Sequence, residues 1–132
     1  MRHSLTELID LYPTLTGLAA LEVSEHLQGK SLVRTLDDPT STVREAAFSV
    51  NVWRNTHTFL LRTQKWAFIQ YGEDGAFGME LFDMDFDEKQ YNNLAYHPLY
   101  QDVVKDFKKK LREKLQEVRS NDLGITYKAA DE

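Results

Sequence analysis

An apolar stripe near the C-terminus constrains the fold more than any other feature of this 132-residue sequence. Between Tyr100 and Val118, large apolar residues recur at intervals of three or four: positions 100, 104, 107, 111, 115 and 118. This period predicts a helix from about Pro98 to Val118 with one continuous apolar face. Such a helix needs a partner layer that covers this face, and the rest of the chain must supply it.

The partner layer is predicted to be an antiparallel sheet between residues 46 and 84. A strand that starts at Ala46 leads into a polar hairpin tip at residues 54–57. Three further segments rich in apolar and aromatic residues follow, at positions 58–63, 66–71 and 79–84. The sequence therefore predicts an α+β fold, in which a four-stranded antiparallel sheet packs under the C-terminal helix.

An N-terminal helix and a long connector precede the sheet in this interpretation. Ser4 and Glu7 have the spacing of a capping box, and the apolar period that follows predicts a helix to about Leu21, interrupted or kinked at Pro13. Glycine, proline and small polar residues then indicate a connector with one helical turn at most. We divide the chain into a helix at 1–21, a connector at 22–43, a subdomain at 44–120 and a tail at 121–132.

Composition excludes several classes of protein. The chain has no cysteine, which excludes a disulfide scaffold, a thiolate zinc site and a cysteine nucleophile. A net charge of -5 argues against a nucleic-acid partner. The apolar runs are too short to span a bilayer, so no membrane partner is expected. The sequence fits a folded domain with an apolar core.

The hairpin tip carries the candidate binding residues Trp53, Arg54, Asn55 and His57. An aromatic ring, a guanidinium and an imidazole together suit an anionic or sugar-like group. The alternative is that polar residues collect at hairpin tips without any binding role.

An acidic run at positions 83–88 resembles the start of a calcium-binding EF-hand loop. Glu88 stands where that loop needs glycine, and Leu94 stands where it needs glutamate. We therefore expect Asp83 and Asp85 to face solvent at a strand end, with Asp87 or Asn92 as a turn or cap residue.

The C-terminal helix also carries a cluster of basic residues, at positions 105, 108, 109, 110, 112 and 114. This cluster is suited to an anionic polymer such as a sulfated glycan. Acidic residues alternate with it at helical spacing, which favours a solvated face with weak ion pairs. No residue pattern along the chain identifies a catalytic nucleophile or a phosphate-binding loop.

Five segments, taken in order, resemble the C-terminal end of a type I sulfatase. They are Glu7–Leu15, Leu27–Val33, Arg44–Ser49, Arg62–Ile69 and Glu80–Ala95. The similarity is greatest to the bacterial iduronate-2-sulfatase-like group, and it rests on Tyr71-Gly72-Glu73-Asp74-Gly75, Asp83-Met84-Asp85 and Gln90–Ala95. Phe86-Asp87 departs from the Asp-Pro turn that is common in the family.

The resemblance implies the alkaline-phosphatase-like sulfatase fold and a parent enzyme that hydrolyses sulfate esters, with sulfated carbohydrate as the expected substrate. Its chemistry uses a formylglycine, made from Cys or Ser in a Cys/Ser-x-Pro-x-Arg motif, and a calcium ion. None of Pro13, Pro39 and Pro98 follows Cys or Ser at that spacing. We therefore assign no catalytic or metal residue to this chain and expect it to be inactive alone.

The resemblance also implies partners and a location. The catalytic domain of the same parent chain is the expected partner, the tip is expected at the rim of its substrate pocket, and the parent is expected to be exported. Without the catalytic domain, residues 5–21 are expected to leave an apolar face open to self-association. The alternatives are a stand-alone module that binds carbohydrate or a polyanion, and an interaction module without a ligand.

Overall fold

The computed structural model describes residues 4–38 and 40–120. Pro39 and the expected tail at 121–132 lie outside the described residues. A single turn of 3-10 helix at Leu8–Asp10 is followed by α1 (Leu11–Leu18) and α2 (Val33–Asp37). The strands are β1 (Ala47–Trp53), β2 (Thr56–Arg62), β3 (Trp66–Tyr71) and β4 (Met79–Asp83). A 3-10 turn at Pro98–Tyr100 then leads into the long helix α3 (Gln101–Arg119).

The four strands form an antiparallel sheet in the order β1-β2-β3-β4. One face of this sheet packs against α3, as the apolar stripe predicts. The buried residues are Phe59, Leu61, Phe68 and Leu81 from the sheet and Val104, Phe107, Leu111 and Leu115 from α3. The rings of Phe68 and Phe107 lie 5.6 Å apart, centroid to centroid. This arrangement confirms the predicted α+β fold.

The N-terminal helix differs from the prediction at both ends. The Ser4 hydroxyl is buried and has no hydrogen-bond partner among the described residues, whereas Asp10 accepts from the Glu7 backbone N–H at 2.8 Å. Pro13 lies in the first turn of α1, where its missing N–H costs no helical hydrogen bond. The helix ends at Leu18 rather than Leu21, and Ala20 follows with a φ of 55°.

A buried ionic cluster joins the N-terminal segment, the connector and the start of the sheet. Arg44 pairs with both Glu7 and Asp10, whose side chains are almost inaccessible to solvent. The Glu7 carboxylate also accepts from the backbone N–H of Phe48 at 2.8 Å, and Asp10 accepts from that of Lys30 at 2.8 Å. Three segments that are distant in sequence are therefore held by one set of charges.

The segment after β4 returns along the outer edge of the sheet. Asn93 accepts from the Leu81 N–H at 3.1 Å and donates to the Met79 carbonyl at 3.0 Å. Asp87 accepts from the backbone of Tyr91 and acts as the expected turn residue. Asp85 is exposed as expected, but the expectation for Asp83 is wrong: it lies on the same face of β4 as the core residue Leu81 and is only 8% exposed. Its carboxylate accepts from the Asp85 N–H at 3.1 Å and lies 3.7 Å from the Lys65 ammonium.

Candidate functional site

The hairpin tip is a two-residue turn, shorter than the sequence predicts. Thr56 and His57 already belong to β2, and only Arg54 and Asn55 lie between the strands. Both have positive φ values, 48° and 63°, which is the conformation of a type I′ turn. Asparagine and glycine adopt this conformation readily, whereas arginine does so at a cost. The backbone preference of arginine therefore does not explain why an arginine stands at position 54.

The candidate tip residues lie on different sides of the hairpin. Trp53 is the last residue of β1 and pairs with Thr56 in the register. His57 stacks on Phe59, with the ring centroids 6.2 Å apart, and so lies on the face that α3 covers farther along the sheet. Arg54 and Asn55 are exposed in the turn itself. The His57 imidazole therefore lies apart from the two turn residues, Arg54 and Asn55.

A cleft of about 500 Å³ lies just below the tip, on the sheet face opposite α3. Its floor comes from three residues in one row across the sheet, because Asn51 pairs with Thr58 and Thr58 pairs with Tyr71. The loop after β3 reaches the first residues of β2, where the Gly72 N–H donates to the His57 carbonyl at 2.8 Å. The cleft and the tip are therefore parts of one end of the molecule.

The polar groups of the cleft have defined roles. The Tyr71 hydroxyl donates to Glu80 at 3.0 Å, and burial together with this bond raises the pKa of Tyr71. The Tyr96 hydroxyl accepts from the Met79 N–H at 3.0 Å. The Thr58 hydroxyl is buried and has no hydrogen-bond partner among the described residues. Glu80 is the one charged side chain among the described residues that line the cleft.

No motif in the sequence predicts this cleft. The signal was available in the alternation of the strands, because Asn51 and Thr58 are polar at positions that alternate with the core residues. The register that brings them beside Tyr71 and Glu80 depends on the two turns and becomes visible only in the fold.

The acidic run does not form a metal site. Within residues 4–38 and 40–120, no group of three or more His, Cys, Asp or Glu side chains is arranged to hold a metal ion. The Asp87 carboxylate instead accepts from the backbone N–H of Tyr91 at 3.0 Å and of Asn92 at 2.8 Å. These bonds lower the pKa of Asp87 and assign it a structural role.

The basic residues of α3 are largely paired with neighbouring acids. Lys105 pairs with Asp102, Lys109 with Glu113, Lys110 with Asp106 and Lys114 with Glu117. Lys108 donates to the Asp74 carbonyl at 3.0 Å. This pattern agrees with a solvated ion-pair face and does not favour the stand-alone polyanion-binding module. No helix in the described part of the chain is long and apolar enough to cross a membrane.

Residues 1–117 match the family described as N-sulphoglucosamine sulphohydrolase, C-terminal. The chain belongs to this family. It is 28% identical over 101 residues to arylsulfatase K of Mus musculus, a match that covers 70% of the chain and 18% of that relative. It therefore represents the C-terminal portion of a sulfatase, and its relatives are several times longer.

Solved structures give the same assignment of fold. A 2-O GAG sulfatase, BT1596, superimposes with a TM-score of 0.80 at 25% identity, over 98% of this chain and 29% of that one. A phosphonate monoester hydrolase of Agrobacterium radiobacter has a TM-score of 0.68 at 22% identity, over 86% of this chain and 25% of that one. The fold extends to a hydrolase of another ester class, so the fold alone does not define the ester cleaved.

Proposed function

We propose that this chain is the substrate-pocket subdomain of a sulfuric ester hydrolase that acts on sulfated carbohydrate. Membership of the sulfatase C-terminal family carries the proposal. The likeness to a 2-O GAG sulfatase supports sulfated carbohydrate as the substrate class. The hairpin tip, with Trp53, Arg54, Asn55 and His57, forms part of the pocket rim in this proposal.

The finer assignment is to the iduronate-2-sulfatase-like group, in an exported bacterial parent. Support comes from the residues after β3 and before α3, Tyr71–Gly75 and Gln90–Ala95, which resemble that group. The similarity to arylsulfatase K supports the sulfatase family but does not select this group, so the finer assignment goes beyond the family.

Calcium and formylglycine belong to the rest of the parent in this proposal. The chain contains no cysteine, and no serine stands two residues before a proline. The described acids do not form a metal cluster. The residues present therefore do not fit either group, and the 132-residue chain alone should not hydrolyse an aryl sulfate.

The catalytic domain of the parent is the proposed partner of α1. The 3-10 turn and α1 together have the reverse of the usual burial pattern of an isolated domain, because they bury Asp10, Pro13 and Thr14 and expose their leucines. Leu8, Leu11, Leu15 and Leu18 are between 52% and 84% exposed and lie on one stripe. A domain packed on that stripe would complete the core of the parent, which supports the division at residue 21.

The experiment replaces the tip residues in the complete parent enzyme. Arg54→Asn keeps a residue that tolerates positive φ and removes only the guanidinium. If Arg54 binds a substrate anion, kcat/KM for sulfated oligosaccharides should fall about 10- to 100-fold, the effect of a lost charge-assisted hydrogen bond. His57→Ala tests the imidazole separately, because it lies on the other side of the hairpin.

Arg112→Asn is the matched control, since Arg112 is an exposed arginine on α3. It should leave kcat/KM unchanged. If neither tip variant differs from this control on any sulfated substrate, the tip is not part of the pocket rim.

A further inference from the structure

We propose that the cleft below the hairpin tip binds an uncharged sugar ring. The cleft is lined by Asn51, Thr58, Tyr71, Phe77, Glu80 and Tyr96, among others. Its volume of about 500 Å³ lies within the range of small-molecule sites.

The aromatic part of the cleft lies where only glycine leaves room for it. Phe77 is 75% exposed, yet its ring lies against the backbone of Gly72, where an added Cβ would come within 2.9 Å of the ring. Gly72 has a φ of 81° and Gly78 a φ of 125°, values that suit glycine. An added Cβ at Gly78 would also lie 3.8 Å from the Tyr96 hydroxyl. The loop thus places the Phe77 ring at the rim of the cleft, where it is largely exposed to solvent.

Polar groups that line the same cleft supply both donors and acceptors. The Asn51 side-chain oxygen accepts from the Val52 N–H at 2.8 Å, which directs its NH₂ group to other partners. Tyr96 accepts through its oxygen, so its own O–H remains as a donor. Glu80 uses Oε1 for Tyr71 and offers Oε2 as an acceptor. Among the residues that line the cleft, Thr58 has a hydroxyl that is buried from solvent and has no hydrogen-bond partner among the described residues.

This combination matches the chemistry of a pyranose ring. Hydroxyl groups around the ring edge both donate and accept, whereas the C–H face of the ring is apolar and stacks on an aromatic side chain. An apolar ligand would cover the Asn51 amide, the Tyr96 hydroxyl and the second carboxylate oxygen of Glu80 without offering them hydrogen-bond partners, which is unfavourable. The cleft therefore favours a hydroxyl-rich ring over an apolar ligand.

The negative charge of this cleft makes it unsuitable for the sulfate ester itself. Glu80 is negative, and no Lys, Arg or His is found among the described residues that line the cleft. A sulfate or carboxylate group there would meet a like charge. We assign the cleft to an unsulfated sugar unit. The biological role rests on the proposed function, but sugar binding can be measured directly on this chain.

The test is a titration of the purified 132-residue chain, followed by amide NMR. The probes are the methyl β-glycosides of N-acetylglucosamine, which is neutral, and of glucuronic acid, which is anionic. The neutral glycoside should shift the amides of residues 51, 58, 71, 77–80 and 96. It should bind about fivefold more tightly than the glucuronide, the effect of one like charge near the protein surface.

Three variants identify the groups responsible. Phe77→Ala should weaken binding of the neutral glycoside about two- to tenfold, through loss of ring stacking. The matched control is Phe86→Ala, because Phe86 is 89% exposed and does not line the cleft. Glu80→Gln should keep binding of the neutral glycoside and remove the discrimination against the glucuronide.

Thr58→Val is a control inside the cleft. The Thr58 hydroxyl is buried from solvent and has no partner among the described residues, so this variant should unfold at the same or a higher urea concentration and leave binding of the neutral glycoside unchanged. The proposal is wrong if the neutral glycoside leaves the cleft amides unshifted, or if the glucuronide binds equally well to the wild-type chain. It is also wrong if Phe77→Ala behaves like Phe86→Ala. These results would leave the tip experiment on the parent enzyme unaffected.

Discussion

At the scale of single residues, the fold depends on charges and small residues that attach the N-terminal segment to the sheet. Arg44 lies between Glu7 and Asp10, and all three side chains are almost inaccessible to solvent. Removing one member of such a cluster leaves unpaired charge in the interior, which costs far more than removing an exposed pair. The cluster therefore stabilises the attachment only while it is complete.

Arg44→Met should lower the free energy of unfolding by about 3–5 kcal/mol, because two buried carboxylates lose their cation. Arg44→Lys should give a smaller loss, since an ammonium keeps the charge but cannot bond both acids as a guanidinium does. Urea unfolding measures both. The control, Arg112→Met on the exposed face of α3, should change the free energy by no more than about 0.5 kcal/mol. Equal losses for Arg44→Met and the control would contradict this account.

Two glycines give a second prediction for single residues. Replacement by alanine should lower the stability of the chain at one of them and raise it at the other. A Cβ on Gly29 would lie 2.0 Å from the Ile9 carbonyl oxygen, so Gly29→Ala must displace backbone and should cost at least about 2 kcal/mol. Gly17 lies in α1, and a Cβ there would meet its nearest atoms at 3.4 Å. Gly17→Ala should therefore stabilise the chain by about 0.5–1 kcal/mol through helix propensity. Thermal unfolding of the two variants should shift the midpoint in opposite directions.

At the scale of elements, the sequence predicts what local periodicity determines. The stripe on α3 and the alternation in the strands are properties of neighbouring residues, so the helix, the four strands and their stacking follow from them. The Arg44 cluster does not, because Glu7, Asp10 and Arg44 lie in segments whose proximity depends on the whole fold. The tip illustrates both cases: a turn at residues 54–57 is predicted, but its two-residue form depends on the register of β1 and β2.

The turn after β4 allows a test by pH. Hydrogen bonds from the backbone N–H groups of Tyr91 and Asn92 hold the pKa of Asp87 below its usual value. Because the folded-state pKa is the lower one, this stabilisation is present above the usual pKa of aspartate, about 3.9, and is lost as the pH falls through the folded value. Asp87→Asn should therefore lower stability at pH 7 and flatten its decline below about pH 4.

Urea midpoints between pH 7 and pH 2 measure this effect. Glu88→Gln makes the equivalent change at an exposed residue in the same turn and should retain the decline of the wild-type chain. If the urea midpoint of Asp87→Asn falls with pH as steeply as that of the wild type, other carboxylates cause the acid sensitivity.

At the scale of the whole molecule, the stripe formed by Leu8, Leu11, Leu15 and Leu18 leaves large apolar side chains exposed to solvent. These leucines are more than half exposed, while α1 buries Pro13 and Thr14 on its other side. Contiguous apolar surface of this kind is uncommon on a monomer and marks a contact face. We expect the catalytic domain to cover it in the parent and a second copy to cover it in the isolated chain.

Sedimentation velocity of the isolated chain should therefore show a monomer–oligomer equilibrium that shifts with concentration. Leu8→Glu combined with Leu15→Glu should shift it to monomer, because two carboxylates would have to be desolvated at each contact. Leu99→Glu is the control: Leu99 is 82% exposed but precedes α3, and this change should leave association as it is in the wild type. In the parent enzyme the double variant should instead lower stability, if the catalytic domain covers this face as proposed. A monomeric wild-type chain together with an unaffected parent would show that α1 is an ordinary exposed helix and that the division at residue 21 is wrong.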